Sequence, residues 1–494
     1  MRIGIVIILL LFMVGCQATE GDKVSKEIAK QPNILWIYVE DMNDWMGAYG
    51  DKTVPTPNID QLASQGVRFD KVIMPAAVCS AVRSAIISGE MQTTLGFHNH
   101  RSGRFDYNPI ALPQGHKTVP ELFRDNGYET FNIGKDDYNF HYDRSQLYSL
   151  HPGPIAGHQG AKNGPDFDWG KRLAQSGKPF FGQIQLRGGK YKVKNPPVKV
   201  DRASVTLPPY YNDQPLTRDA WARHYENIHL TDLDVGEIVK ELKDNNLLEN
   251  TIVFFFTDHG MGLLRHKQFL YDGGLQVPLV ISWMNGNDKL RELGAERKEL
   301  IRGLDIGGSS LGLAGIDIPA YMTTENFFAA DYQAKPWVIS ARDRCDYTFE
   351  KMRSVRTDRF KYIRNYFPER PYMQAQYRDK WPLVKEYKKA FAAGEFNEIE
   401  AQLMAERKPA EELYDLDNDP HEVSNLAGVG AYKSQLTKMR GILNNWVKET
   451  GDKGQLPESD NGIREVLDFY HDKCQSPECQ SYRTRHQLSG NKSK

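Results

Sequence analysis

The chain has 494 residues, of which 40% are hydrophobic and 26% charged, a globular composition that excludes long disorder, collagen and coiled coil. Lysine and arginine total 63 against 64 acidic residues, so the formal net charge of -1 gives no electrostatic reason to expect a nucleic-acid partner. Five cysteines are too few for a disulfide scaffold at this length.

The first segment is a short apolar run. Residues 3–15 carry no charge, and these thirteen positions are fewer than the roughly 20 that a membrane-spanning helix needs. Residues 1–15 are therefore predicted to be a signal peptide. The run ends in Met13-Val-Gly-Cys16, which resembles a bacterial lipobox, so we expect Cys16 to carry a lipid and residues 16–31 to form a tether. The alternative is an ordinary secretory signal with an incidental cysteine.

Both interpretations place the protein outside the cytoplasm. The lipobox interpretation further anchors it to a bacterial membrane, in the periplasm or at the outer-membrane surface, through the lipid on Cys16 alone.

Buried strands that alternate with helices follow the tether. Continuous apolar, β-branched runs, typical of strands buried on both faces, lie at 33–39, 129–133, 179–186, 251–257 and 277–282. Helical periodicity lies at 58–64, 118–124 and 217–248. The alternation predicts an α/β fold with a large, mostly parallel sheet sandwiched by helices over residues 32–335. In such sheets, functional sites gather at the carboxyl ends of the strands.

The pattern changes after about residue 335. Residues 354–364 alternate polar and apolar side chains around a Thr357-Asp358 turn, which predicts an antiparallel hairpin with one solvated face. A strand at 412–416 and a helix at 431–449 follow. We therefore predict a smaller C-terminal antiparallel-sheet subdomain over residues 336–450.

Two further stretches have weaker patterns. Residues 388–407 are predicted to be a helical insertion, and residues 451–494 an arm or a partly disordered tail. Cys474 and Cys479 are close enough in sequence to form a small disulfide loop in an oxidising compartment, which leaves Cys345 as an odd, buried thiol.

Acidic clusters follow two of the predicted strands. The first strand ends in Glu40-Asp41, with Asp44 shortly after, and the apolar strand 251–257 ends in Asp258-His259. Oxygen ligands at adjacent strand ends are typical of a Ca²⁺ or Mg²⁺ site. Either cluster alone would be interpreted as a solvated turn, but two in the same topological position favour a metal site. A neutral His259 either ligates the ion or bonds the reacting group.

Cys79 begins a predicted helix in Cys79-Ser-Ala-Val-Arg83. The positive end of the helix dipole and Arg83, one turn later on the same face, both favour a thiolate. The sequence therefore places a candidate nucleophile at position 79, against the alternative of an inert buried thiol.

Cys79-Ser-Ala-Val-Arg83 resembles the C-x-P/A-x-R signature of type I sulfatases, within the alkaline-phosphatase-like superfamily. The similarity extends to bacterial polysaccharide sulfatases and N-sulfoglucosamine sulfohydrolase-like proteins, and covers roughly residues 32–427. Further motifs that resemble the family are Pro32-Asn-Ile-Leu, Thr56-Pro-Asn-Ile-Asp60, Gly66-Val-Arg-Phe69, Ile133-Gly-Lys135, Pro179-Phe-Phe181, Thr257-Asp-His-Gly260, Lys267 with Tyr271-Asp-Gly-Gly274, Val277-Pro-Leu, Glu412-Leu-Tyr-Asp-Leu and Asp419-Pro-His-Glu.

The resemblance implies a cofactor made from the chain itself. A maturation enzyme would oxidise Cys79 to Cα-formylglycine (3-oxoalanine), whose hydrate attacks sulfur with one hydroxyl and expels sulfate with the other. Ca²⁺, together with an oxygen of the modified residue, would be held by Glu40, Asp41, Asp258 and His259. Arg83 would stabilise the attacking group, and Lys135 and Lys267 would bind the sulfate oxygens.

The sequence departs from the family pattern at several positions. Glu40 stands where Asp is usual, and Asp137 where a histidine usually follows the Gly-Lys motif. The usual Pro-His after the Pro-Phe-Phe strand is absent, since the chain reads Leu186-Arg-Gly-Gly-Lys190 there. Lys190 is therefore the candidate group that protonates the leaving alkoxide, with Arg187 nearby to bind substrate. His266 and His141 are rival candidates, and His266 is also a candidate substrate-binding residue.

A basic cluster, His98-Asn-His-Arg-Ser-Gly-Arg104, follows the nucleophile helix. We expect His98 and His100 to contact sulfate or uronate groups beside the scissile ester, against the alternative of a solvated loop. The functional hypothesis is a sulfatase that acts on a sulfated polysaccharide or its oligosaccharides. The alternatives are a related phosphate or phosphonate ester hydrolase, favoured by the shared metal-site architecture, and an inactive lipid-anchored glycan-binding homologue, favoured by Glu40 and Asp137.

Overall fold

The computed structural model describes residues 31–150, 168–284, 290 and 294–488. The predicted signal peptide, Cys16 and almost all of the tether lie outside these residues. Among the described residues, no helix is long and apolar enough to cross a membrane.

The larger sheet has seven strands in the order β3-β4-β1-β5-β6-β2-β7. Neighbouring strands run parallel except at β6, which is antiparallel to both β5 and β2. The strands are β1 (Asn33–Val39), β2 (Gly66–Ile73), β3 (Glu129–Ile133), β4 (Phe180–Leu186), β5 (Thr251–Thr257), β6 (Gln276–Ser282) and β7 (Glu296–Arg302). The predicted mostly parallel α/β sheet is confirmed.

Helices cover this sheet, and apolar clusters lie against each of its faces. Alternate residues of β1 belong to different clusters, Leu35 and Ile37 to one and Ile34 and Trp36 to the other, as expected for a strand buried on both sides. The helices of this part are α1 (Pro57–Ser64), α2 (Cys79–Ser88), α3 (Gln92–Leu95), α4 (Val119–Asp125), α5 (Arg144–Leu147), α6 (Trp169–Ser176), α7 (Pro215–Asp244), α8 (Asp272–Leu275) and α9 (Asp305–Leu313).

A second, antiparallel sheet has the order β11-β10-β9-β8. Its strands are β8 (Val338–Arg342), β9 (Met352–Arg356), β10 (Phe360–Asn365) and β11 (Glu411–Asp415). The hairpin predicted around Thr357 is confirmed, since Thr357 N donates to Phe360 O at 2.9 Å. The predicted C-terminal helix is α12 (Lys433–Thr450), whose Leu436, Met439 and Leu443 pack with this sheet.

The predicted helical insertion is corrected by the structure. The segment contains α10 (Pro382–Ala392) and the short α11 (Glu398–Ala401), so the main helix begins before residue 388. It ends before Gly394, whose φ of 75° is a left-handed conformation that stops a helix.

Of the two alternatives predicted for residues 451–494, partial disorder is wrong for residues 451–488, where the chain is ordered, and the arm stays a prediction. This segment forms α13 (Asp460–Tyr470) and α14 (Pro477–Arg485), each begun by a serine side chain that accepts a backbone N–H of the first turn. Cys474 and Cys479 form the expected disulfide, and both are buried with Phe349, while Cys345 is a free, buried thiol. Little apolar pattern is needed because capping and the cross-link stabilise these short helices.

Candidate active site

The strand register brings the predicted site residues together. Val39 at the end of β1 lies level with Leu186 of β4 and Thr257 of β5, so the chains that follow all three strands emerge at one edge of the sheet. Asp258 N donates to Val39 O at 2.9 Å and Glu40 N donates to Leu186 O at 3.2 Å, which continues the pairing one step beyond the strands. This edge is the carboxyl edge, where sites of such sheets form.

Cys79 is the first residue of α2 and lies at this edge. Its side chain is buried, and its Sγ lies 3.2 Å from His259 Nε2, 3.1 Å from Lys267 Nζ and 3.8 Å from both Asp41 Oδ1 and Lys190 Nζ. All four of these neighbouring side chains carry or can carry charge.

The lysines decide the ionisation of this thiol. Burial by itself raises the pKa of Cys79, but Lys135, Lys190 and Lys267 together lower it to about 6. Ion pairs hold the lysines in their charged form, since the carboxylate of Asp41 and the Cys79 sulfur raise the pKa of Lys267 well above its usual value against the effect of burial. The site thus stabilises an anion at position 79.

Four potential metal ligands converge here. Donor atoms of Asp41, Cys79, Asp258 and His259 all lie within 4.8 Å of one another, and all four residues are buried. His259 Nδ1 donates to Gly260 O at 2.8 Å, which leaves Nε2 facing Cys79 Sγ and Asp41 Oδ1, the latter at 3.3 Å. Two carboxylates, an imidazole nitrogen and an oxygen at position 79 fit a hard divalent cation.

Glu40, the fifth residue predicted to bind the metal, lies outside this group. Its carboxylate accepts from Lys135 Nζ at 2.9 Å, forms an ion pair with Lys190 and lies 3.5 Å from Arg83 Nη2. The extra methylene relative to Asp carries the carboxylate among three cations. Glu40 therefore holds the lysines in place in this structure.

Arg83 is almost fully buried, one turn after Cys79 as predicted. Its Nη2 lies 3.2 Å from Asp258 Oδ2, its Nη1 donates to Gln185 Oε1 at 2.5 Å, and its guanidinium stacks over the Tyr38 ring at 4.1 Å. Asp258, Tyr38 and Glu40 raise the pKa of Arg83 against burial, so its charge is permanent.

Asp137, the residue that replaces the expected histidine, supports Lys135. Its Oδ2 lies 2.9 Å from Lys135 Nζ, and Arg104 forms an ion pair with its other oxygen. Lys135 and neighbouring cations lower the pKa of Asp137 well below its usual value despite burial, so the carboxylate stays charged.

A cavity of about 1060 Å³ opens onto Cys79. Polar and aromatic side chains dominate its walls, which include Asp41, His100, Arg101, Lys135, Arg187, Lys190, Tyr191, Lys192, Arg223, His224, Asn227, Lys267, Cys345, Asp346, Tyr347, Tyr377, Asp379, Lys380, Trp381, Tyr470 and Lys473. Its volume is at the upper end of the range of about 300–1,000 Å³ for small-molecule sites.

A family model described as Sulfatase matches residues 32–316, more than half of the chain. The chain belongs to the sulfatase family. It is a sulfuric ester hydrolase by that membership, which confirms the resemblance seen in the Cys79 and Asp258 motifs.

Relatives and solved structures agree with this assignment. An ulvan-active sulfatase of Formosa agariphila is 31% identical to this chain, and the alignment covers 89% of this chain and 79% of the relative. Human N-sulphoglucosamine sulphohydrolase is 24% identical to this chain, and the alignment covers 86% of this chain and 91% of the human protein. The solved structure of a 2-O GAG sulfatase shares the fold, with a TM-score of 0.62 and 21% identity over 87% of this chain and 94% of that one.

The structure places two of the four predicted substrate-binding residues of this sulfatase in the pocket. His100 and Arg187 line it. His98 instead lines a separate cavity of about 570 Å³ beside the C-terminal segment. His266 is buried against Tyr211 and Trp221, with Nδ1 bonded to Gly273 O at 2.9 Å, so it belongs to the core.

The candidates for the leaving-group acid are also separated by the structure. His141 is exposed and His266 lies in the core, whereas Lys190 lines the pocket beside Cys79. Burial lowers the pKa of Lys190, but the negative charges of Asp41, Cys79 and Glu40 outweigh burial and raise this pKa above its usual value. Lys190 therefore carries a proton at neutral pH.

Sequence reasoning missed several pocket residues. Tyr377 and Trp381 come from the stretch between the predicted hairpin and the predicted insertion, where no element was predicted. Lys473 comes from the predicted tail, and His224 from the long helix α7. Ser459 and the Ser476-Pro477 pair were the available signals for ordered helices in the tail, because serine before a helix and proline at its first position are typical starts.

Proposed function

We propose that this sulfatase removes sulfate from a sulfated polysaccharide or its oligosaccharides, with a formylglycine made from Cys79 and a bound Ca²⁺. The observation that carries the proposal is the convergence on Cys79 Sγ of a hard-metal donor group and cationic side chains at the floor of a large pocket. Asp41, Asp258 and His259 would hold the ion together with the group at position 79.

When present, the ion and the formylglycine supply an acidified hydroxyl nucleophile for sulfur. Lys135 and Lys267 would hold the sulfate oxygens, where charge must be stabilised as the S–O bond breaks. Arg83, fixed by Asp258 and Gln185, stabilises negative charge at position 79. Lys190, held charged by Glu40 and Asp41, donates its proton to the leaving alkoxide.

The pocket rim supports a polyanionic substrate. Each carboxylate that lines the pocket has a cationic partner: Asp41 pairs with Lys267, Asp346 with Arg101, and Asp379 with Lys388. Among the residues that the structure describes, the lining cations without an ion pair are Arg187, Lys192, Lys380 and Lys473. This excess of positive charge favours a glycan with a further sulfate or carboxylate beside the scissile ester.

Aromatic side chains complete the rim. Tyr191, Tyr347, Tyr377 and Trp381 line the same pocket and offer apolar faces on which sugar rings can pack. One relative is, by its name, a sulfatase active on ulvan, and this supports a glycan substrate for this protein.

We further propose that the protein is an extracytoplasmic lipoprotein anchored through Cys16. The Cys474–Cys479 disulfide supports an oxidising compartment. Mass spectrometry of the N-terminal peptide from the native membrane fraction tests the anchor, and an unlipidated peptide that begins elsewhere than Cys16 would contradict it.

The test of the function measures sulfate release from a panel of defined sulfated glycans. We expect release by the wild type and none by Cys79→Ala, with circular dichroism unchanged because only one small side chain is altered. Retained activity would refute the proposal. Faster hydrolysis of aryl phosphate than of the matched aryl sulfate would favour the phosphoesterase alternative, and unmodified Cys79 from a maturation-competent host would favour the inactive homologue.

A matched pair of variants tests the rim. Lys473→Ala should raise KM for a polyanionic oligosaccharide by up to about fivefold, since an exposed ion pair contributes about 0.2–1 kcal/mol. Lys453→Ala, at an exposed lysine outside the pocket lining, is the control. KM for a small aryl sulfate should not change in either variant, and equal effects of both on the oligosaccharide would contradict this role for the rim.

A further inference from the structure

A second cluster of metal-ligating side chains lies in the pocket wall. Donor atoms of His100, Cys345 and Asp346 lie within 4.8 Å of one another. His100 follows α3, and the other two follow β8, so the cluster joins the two parts of the chain. All three residues are nearly buried, and all three line the pocket, so an ion can reach them from solvent.

Neighbouring groups orient the three donors as metal sites require. Ser80 Oγ lies 2.6 Å from His100 Nδ1 and can accept a hydrogen bond from the Nδ1–H. In that tautomer the lone pair of His100 Nε2 faces Asp346 Oδ1, which is 3.6 Å away. The hydroxyl of Tyr470 donates to Asp346, and Gln268 Nε2 donates to Cys345 Sγ at 2.8 Å. The His100–Ser80 hydrogen bond lies on the far side of that ligand and is of the kind that fixes a ligand's orientation and strengthens metal binding, whereas the other two hold the donor atoms of Asp346 and Cys345 themselves.

The donor chemistry differs from that beside Cys79. A thiolate, an imidazole and a carboxylate are the ligands of Zn²⁺ and related thiophilic ions, which bind them at about 2.0–2.3 Å. A tetrahedral arrangement at those lengths separates the ligands by about 3.3–3.8 Å. Small side-chain rotations would reach this spacing, and the fourth position would face the pocket.

We propose that His100, Cys345 and Asp346 form a second metal site, for a thiophilic divalent ion such as Zn²⁺, and that an ion held there blocks the substrate pocket. Binding forms a sulfur–metal bond and releases the thiol proton of Cys345 to solvent. The site adjoins Ser80, the residue after Cys79, so a bound ion and its fourth ligand occupy space beside the reacting position.

Two features make this site reversible. Arg101 Nη1 lies 3.8 Å from Asp346 Oδ1, and its positive charge opposes a cation. Binding also requires that the Cys345 thiol lose its proton. Affinity is therefore expected to fall as the pH falls, and chelators should remove the ion without unfolding the protein.

Cd²⁺ titration of Cys79→Ala protein tests the binding, since thiolate–Cd²⁺ bonds give an ultraviolet charge-transfer band. Within the described residues, Cys345 is the only free thiol left in this variant. We expect a band that saturates at one equivalent, is absent from Cys79→Ala/Cys345→Ser, and needs at least about tenfold more Cd²⁺ in Cys79→Ala/His100→Gln. No band, or an equal band in the Cys345→Ser protein, would overturn the site.

Inhibition is measured separately and depends on the proposed sulfatase activity. Zn²⁺ should inhibit sulfate release by the wild type, and Cys345→Ser should remain active while losing this sensitivity. Equal inhibition of both proteins would overturn the blocking role. If no sulfated substrate were turned over, the Cd²⁺ titration would still decide the metal site, so failure of the function and failure of the site are distinguishable.

Discussion

Lys267 is predicted to set the charge state of the reacting position. Its Nζ lies 3.1 Å from Cys79 Sγ and contacts both oxygens of Asp41. At an effective dielectric constant of about 20, opposite unit charges at this separation attract by roughly 5 kcal/mol, or about 4 pKa units. Asp41 partly neutralises the lysine, so this is an upper bound. Lys267→Met, which keeps the chain length but removes the charge, should raise the pKa of Cys79 by about 2 units or more.

The assay is the pH dependence of alkylation of Cys79 in unmodified protein, in chelating buffer and in a Cys345→Ser background. The wild type should titrate near pH 6, where the pKa of Cys79 lies. Lys71→Met, at a partly exposed lysine paired with Asp358, is the matched control and should not shift the profile. A shift below about 0.5 unit in Lys267→Met would refute the electrostatic reasoning. In the matured enzyme, the same variant should lose about 10²–10³-fold in kcat, because a positioned charge at the transition state is removed.

Two further predictions concern stability. Glu465 accepts hydrogen bonds from the backbone N–H groups of residues 103–105 and from Asn108. Glu465→Gln should lower the free energy of unfolding by about 2–4 kcal/mol, because its amide N–H groups would oppose at least one of these donors. Thermal unfolding measures this, and an equal loss in the exposed-site control Asp468→Asn would contradict it. Burial lowers the pKa of His266 to about 4, whereas the same histidine in the unfolded chain binds a proton near pH 6.5. The contribution of His266 to the free energy of unfolding is therefore full above pH 6.5 and falls by about 1.4 kcal/mol per pH unit towards pH 4. His266→Asn should flatten this fall, and an unchanged slope would contradict the core assignment.

The C-terminal segment shows why some parts of the fold were not predictable. The helix α13 carries Ile463, Val466, Leu467 and Tyr470 at helical spacing, a signal that was available in the sequence, whereas α14 is polar on nearly all sides and gave none. Their order depends on distant partners: Glu465 binds the loop at 103–105, Asp452 binds Arg353, and Tyr470 binds Asp346. Strand β2 was missed because Arg68, Asp70 and Lys71 interrupt its apolar run. The strand is nevertheless partly buried in the sheet.

The histidines show the same limit within the site. The sequence could not show which of His98, His100 and His266 lies in the pocket. The residues next to a histidine in the chain are similar whether its side chain points to a pocket or to a core. The tertiary structure separates them by what surrounds each ring: Ser80 and the pocket for His100, a second cavity for His98, and aromatic side chains for His266.

The sequence by itself determined the α/β class, the strands β1, β3 and β5 to the residue, and the reactive motif at Cys79, because these depend on local periodicity and on residues close in the chain. Only the tertiary structure decided which charges meet at the sulfur, that Glu40 pairs with lysines, and that the C-terminal segment contributes to the pocket wall. These contacts join residues far apart in sequence, and their distances follow from strand register and packing, which no single segment encodes.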